Sequence, residues 1–161
     1  MYKKILVPLD GSALAERAIW HAGEIARGAD AEILLLQAVY VPIPVVPESA
    51  LLTEGKVLEE VARGALEYLD RIGADLRASG HRVRTIIDER PPAEAILHTA
   101  GQEQVDLIVM STHGRSGLSR LMLGSIAESV LRHTHQTILF VKPERPAAMR
   151  AKDEHRDTAV P

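Results

Sequence analysis

Five short apolar runs recur along the chain: Lys4–Leu9 (KILVPL), Ala31–Val39 (AEILLLQAV), Val83–Ile87 (VRTII), Asp106–Met110 (DLIVM) and Thr137–Val141 (TILFV). In all but Val83–Ile87, which is interrupted by Arg84 and Thr85, apolar residues mostly follow one another rather than alternate with polar ones. That pattern suits strands covered on both faces, as in a parallel sheet. The intervening segments carry the helical period instead. Ala13–Arg27 sets Leu14, Ala18, Ile19, Ala22 and Ile25 on one stripe, and Glu54–Ser79 does the same with Val57, Leu58, Val61, Ala65, Leu69, Ile72 and Leu76. Pro92–Glu103 opens on a proline, whose missing N–H is no loss in a first turn, and turns Ala93, Ile96, Leu97 and Ala100 inward. Ser125–Thr134 carries Ile126, Val130 and Leu131. Strands alternating with helices predict one α/β domain, an open parallel five-stranded sheet with helices on both faces and right-handed crossovers.

Gly28, Gly73 and Gly80 are expected near helix ends, Gly80 as the residue that terminates the long second helix. Two segments break the rhythm. Tyr40–Thr53 holds three prolines (YVPIPVVPESALLT) and reads as a surface loop, placed to act as a flap over a site. Pro143–Pro161 is charged and nearly devoid of apolar residues, so the folded domain is expected over 1–143 and a disordered tail over 144–161.

Composition narrows the function. A chain of 161 residues buries roughly 70% of its unfolded surface and folds without staples. The net charge of −3 argues against a general nucleic-acid binder. One Trp, three Tyr and one Phe offer no platform for stacking a single strand. The absence of cysteine excludes disulfides and thiolate chemistry. No apolar stretch reaches the length of a membrane span, and the N-terminal run is too short for a signal peptide, so the cytoplasm is the expected location.

The chemistry concentrates after two of the strands. The run ending at Met110 breaks into Ser111-Thr112-His113-Gly114-Arg115-Ser116-Gly117, and Gly124-Ser125 then opens a helix. A strand that dissolves into glycines and hydroxyls before a helix is a way to hold phosphate. Glycine lets backbone N–H groups approach the anion, and the helix start adds unpaired donors and partial positive charge. The first strand ends Val7-Pro8-Leu9-Asp10-Gly11-Ser12, which puts a carboxylate where open sheets bind ligands. Asp10 could orient a ribose hydroxyl or hold a divalent cation. The plainer alternative is that Asp10 or Ser12 caps the following helix. Ser125-Ile126-Ala127-Glu128 likewise reads as a capping box, a role compatible with phosphate contact. Arg115 and Arg120 could neutralise phosphate or simply be solvated. His133 and His135 have poor spacing for a metal on a helix. No Walker motif, dinucleotide fingerprint or nucleophile elbow is present.

These residues make the chain resemble the universal stress protein family over roughly residues 1–143. Lys4–Ser12 is similar to the family's opening strand and loop. Gly114, nine residues, then Gly124-Ser125 reproduces the second half of the nucleotide-binding members' glycine motif, with Ser111 standing where that motif has its first glycine. The resemblance implies a Rossmann-like fold of the adenine nucleotide alpha hydrolase-like kind. It implies an ATP site in which Pro8, Leu9 and Asp10 line the adenosine pocket, with Asp10 towards the ribose or a Mg or Mn ion. The end of the second strand, Ala38 or Val39, would pack the adenine. Met110 and Ser111 would lie beside it, and Gly114, Arg115, Gly124, Ser125 and Ile126 would surround the phosphates. It further implies a homodimer paired through strand 137–141, which agrees with an apolar strand at a sheet edge. The expected function is a dimeric, ATP-dependent regulator acting on an unidentified protein partner, with no nucleic acid or membrane involved. The alternatives are a slow ATPase or self-phosphorylating enzyme, a nucleotide-independent dimeric module, and a site for cyclic AMP in place of ATP.

Overall fold

The computed structural model describes residues 1–40, 51–112 and 123–142. The elements run β1 (Lys4–Leu9), α1 (Ala13–Ala29), β2 (Glu32–Ala38), α2 (Leu51–Ala78), β3 (Arg82–Asp88), α3 (Pro92–Gln102), β4 (Leu107–Ser111), α4 (Ser125–His133) and β5 (Thr137–Val141). All five strands are parallel, in the order β3-β2-β1-β4-β5. The expected doubly covered α/β sheet is therefore the fold.

Strand geometry explains why continuous apolar runs were needed. Successive side chains point to opposite faces, so each face takes every second residue. Ile5, Val7, Ile33, Leu35, Leu107 and Val109 join one core with Ala18 and Ala22 of α1 and Leu69 of α2. Leu6, Leu34, Leu36, Ile108 and Met110 join the other with Ile96 of α3 and Ala127 and Val130 of α4. Ile5, Leu6, Val7, Ile33, Leu34, Leu35, Ile108 and Val109 have no exposed surface. At roughly 1.5–3 kcal/mol per fully buried aliphatic side chain, these central strands dominate the stabilisation.

The helix ends follow local chemistry. Ser12 caps α1, its hydroxyl accepting from the Ala15 N–H at 3.1 Å. Helix α1 ends on Asp30, which takes the left-handed conformation at φ 52 that short polar side chains tolerate. Gly28 lies in the last turn of α1, near the helix end as expected. Gly73 lies inside α2, where the Arg77 guanidinium rests 3.3 Å from the position a Cβ would take. Gly80 ends α2 as expected: at φ 88 its N–H donates to the Arg77 carbonyl and the His81 N–H to that of Leu76, the paired bonds of a Schellman turn.

Two expectations are corrected. Helix α2 begins at Leu51, not Glu54, because past the last proline of the loop, Leu51 and Leu52 are good helix formers. The rest of that loop, 41–50, lies outside the described residues, as does the tail from 143. The capping box at Ser125 does not form. Gly124 occupies the N-cap and Ser125 is the first helical residue, so Glu128 falls one position beyond the box. The Gly124 N–H donates to the Thr112 carbonyl at 2.8 Å, and that bond fixes the helix entry one residue earlier. Among the described residues, no helix is long and apolar enough to cross a membrane.

Candidate functional site

From β1 the chain steps to β2 and β3 on one side, then returns to place β4 on the other side of β1. In such a sheet the connections diverge between β1 and β4 and leave a crevice outside the carboxyl ends of the strands. A cavity of about 430 Å³ lies there. That volume falls within the usual range for a small-molecule site.

Three strand ends and two helix starts meet around it. Pro8, Leu9 and Asp10 come from β1, Leu36, Gln37, Ala38 and Tyr40 from β2, and Met110, Ser111 and Thr112 from β4; α3 supplies Pro92 and Ile96, and the start of α4 supplies Gly124 to Ala127. The lining divides by element. Leu36 and Ala38 of β2 and Pro92 and Ile96 of α3 are apolar, whereas a carboxylate, the hydroxyl residues Ser111, Thr112 and Ser125, and the N-terminus of α4 come from the ends of β1 and β4 and the start of α4.

At the polar end, a tight turn holds Asp10. Gly11 at φ 79 lets the chain double back, and the Asp10 Oδ1 accepts from the Ser12 N–H at 3.0 Å and from its hydroxyl at 2.6 Å. The capping alternative weighed for the Asp10–Ser12 pair holds for Ser12. Ser12 caps the helix, and Asp10 orients Ser12 while facing the cavity. Burial, and after it the neighbouring carboxylates of Glu16 and Asp10, push the Tyr68 phenol on α2 above its ordinary range.

Across the cavity, Ser111 and Thr112 are buried, and Thr112 is pinned by its N–H to the Val141 carbonyl at 3.1 Å. With the Thr112 carbonyl bonded to the Gly124 N–H, the end of β4 and the start of α4 are locked side by side. The N–H groups of Ser125, Ile126 and Ala127 belong to the first turn of α4 and have no partner within it. They and the helix dipole make this end favourable for an anion. Gly124 itself sits at φ −64 and ψ 153, a conformation open to any residue, so its lack of a side chain matters for space and not for backbone freedom.

Of the residues singled out in the sequence, Pro8, Leu9, Asp10, Met110, Ser111, Gly124, Ser125 and Ile126 all line this one cavity. Val39 does not. It is 2% exposed and its N–H donates to the Asp88 carbonyl at 2.8 Å, while its neighbours Ala38 and Tyr40 border the cavity. Gly114 and Arg115 lie outside the described residues. Sequence reasoning missed Tyr40, Gln37, Pro92 and Ile96. Tyr40 and Gln37 could have been found from their place at the end of the second strand; Pro92 and Ile96 carry no local signal. Among the described residues no group of three His, Cys, Asp or Glu could hold a metal. A cation here would share Asp10 with the ligand's own oxygens, a common arrangement for Mg with phosphates.

A conserved-family sequence model accounts for nearly all of this domain: that of the Universal stress protein family matches residues 1–142. The chain belongs to that family. It is 36% identical over 146 residues to Universal stress protein MJ0531 of Methanocaldococcus jannaschii, an alignment covering 88% of this chain and 83% of that protein. The solved structure of MJ0577 superposes with a TM-score of 0.80 at 31% identity, over 91% of this chain and 99% of that one. A universal stress protein solved in complex with cAMP shares the fold at a TM-score of 0.60 and 23% identity, over 88% of this chain and 97% of that one.

Proposed function

We propose that this protein is an ATP-binding universal stress protein, a cytoplasmic regulator whose nucleotide occupancy biases one of two conformations or partner surfaces. The observation that carries this reading is the single divided cavity at the switch point, apolar towards β2 and α3, anion-favouring at the start of α4. The base lies at the apolar end beside Ala38 and Met110. Asp10 takes the ribose hydroxyls or a Mg or Mn ion bound with the phosphates. The first-turn N–H groups of α4 and the Ser125 hydroxyl receive the phosphates, joined by Gly114 and Arg115. A family neighbour of the same fold holding cAMP supports an adenine ligand. Among the described residues lining the cavity, Asp10 and Tyr40 are the titratable ones, and Asp10 is assigned to the ribose or the cation. The mechanism we propose is a population shift driven by differential binding of nucleotide to two states. Strand β5, at the sheet edge among the described residues, pairs with its copy to form a homodimer.

Thermal denaturation with ATP and magnesium tests the reading. Ligand at a hundredfold over Kd stabilises by about 2.7 kcal/mol, which raises Tm by roughly 5–11 °C for a domain of this size. Gly124→Val keeps an allowed N-cap backbone and costs the free protein about 1 kcal/mol at most. It should abolish most of the ATP-induced rise. No rise in the natural protein, or an equal rise in the variant, would remove the proposal.

A further inference from the structure

Tyr40 stands at the mouth of the cavity's apolar end, just beyond β2, with 47% of its surface open. It is the lone aromatic among the described lining residues; its companions there are aliphatic. Its mount is rigid. Val39, the residue before it, is buried and tied through its N–H to the Asp88 carbonyl. Asp88 is in turn 8% exposed, and its carboxylate accepts from the Arg90 N–H at 2.9 Å and from the Arg90 guanidinium at 2.8 Å, with His98 Nδ1 at 3.6 Å. The fold thus ties the backbone just before an aromatic side chain, yet leaves about half of that residue's surface open beside the cavity. Such a ring has much to gain from a flat ligand, because stacking buries its face without demanding a hydrogen bond.

We propose that Tyr40 forms a wall of the base subsite and stacks on the purine ring of the bound nucleotide, an inference that rests on the nucleotide function above. Stacking acts on the base alone. Its contribution is therefore the same whatever the number of phosphates, unlike that of Gly124 and the α4 N-terminus.

Calorimetric titration of the full chain with AMP and with ATP separates the possibilities, using Tyr40→Ala, Tyr40→Phe and Gly124→Val. Tyr40→Ala should weaken AMP and ATP by the same factor, between about fivefold and 100-fold. Tyr40→Phe should stay within about twofold of the natural protein, since it keeps the ring. Gly124→Val should weaken ATP more than AMP. Because Tyr40 is half-exposed, its variants should melt within a few degrees of the natural protein, which removes misfolding as a cause. Unchanged affinity in Tyr40→Ala overturns the inference while leaving the nucleotide site standing. So does a loss confined to ATP, or a Tyr40→Phe loss equal to that of Tyr40→Ala. If the natural protein binds neither nucleotide, the nucleotide function fails and the stacking role fails with it.

Discussion

Asp10→Asn separates the two tasks assigned to one carboxylate. In the free protein Asp10 accepts two hydrogen bonds from Ser12, at 3.0 and 2.6 Å, and so shapes the turn that starts α1. Asparagine is nearly isosteric, and its carbonyl oxygen can accept both bonds. What is lost is charge assistance, about half the strength of each bond. The expected stability cost is about 1 kcal/mol, or roughly 2–4 °C in Tm. Nucleotide binding loses more, because an amide neither neutralises a cation nor accepts strongly from a ribose hydroxyl. Hydrogen bonds to a charged group contribute about 1.5–3 kcal/mol, so ATP affinity should fall by roughly 10- to 150-fold. Titration calorimetry with magnesium and with EDTA distinguishes the routes. If Asp10 acts through a cation, EDTA weakens the natural protein towards the variant and leaves the variant unchanged. If it acts on the ribose, the gap persists in EDTA and closes with 2′,3′-dideoxy-ATP. Affinity within twofold of the natural protein, in magnesium and with a near-unchanged Tm, would mean that Asp10 only forms the turn.

Two further predictions concern the scaffold. Gly80→Ala meets no atom within 4 Å of the new Cβ, so its cost comes from the backbone at φ 88 alone; denaturant unfolding should show a loss of about 1–2 kcal/mol. The amides of Lys3 and Lys4 donate to the Asp106 carboxylate at 2.7 and 2.9 Å and hold its pKa below the ordinary carboxylate range. A depressed folded pKa gives stability that is complete above the unfolded value and drains away as pH falls through the folded one. Asp106→Asn should therefore lower stability at neutral pH and flatten its decline below about pH 4, read by thermal melts across that range. An unaltered acid limb would show that these bonds do not matter to folding.

Most of the scaffold was legible because its signals are local. Continuous apolar runs marked the five strands, and the proline at position 92 and the glycine at position 80 marked helix ends through backbone chemistry alone. The discrepancies arise where a distant bond decides. Ser125 followed by Glu128 has the local form of a capping box, but the Gly124 N–H is claimed by Thr112 across the loop, and Gly124 takes the N-cap in place of Ser125. Gly28 was expected near a helix end and lies in the last turn of α1, but the left-handed position falls to Asp30, whose short polar side chain tolerates it. At the site, residues at strand ends next to a break in the pattern were found, from Pro8 to Asp10 and from Met110 to Ser111. Pro92 and Ile96 were read only as helix start and core, because their place beside the cavity depends on how α3 packs over the sheet. Val39 and Tyr40 differ by one position in sequence, yet one is buried and the other open, a distinction set by the tie to Asp88 and invisible in composition.

The central claim is that a polyphosphate sits on the main-chain amides at the start of α4 with its base towards β2. A ¹⁵N-resolved NMR titration of the intact chain with magnesium and ATP tests it residue by residue. The account predicts saturable shifts at Leu9, Asp10, Ala38, Tyr40 and the amides of Ser125, Ile126 and Ala127, with little change at Arg27, His81 and Arg82 at the amino-terminal end of the strands. Shifts at that amino-terminal end, or none at the α4 amides under saturating ATP, would contradict it.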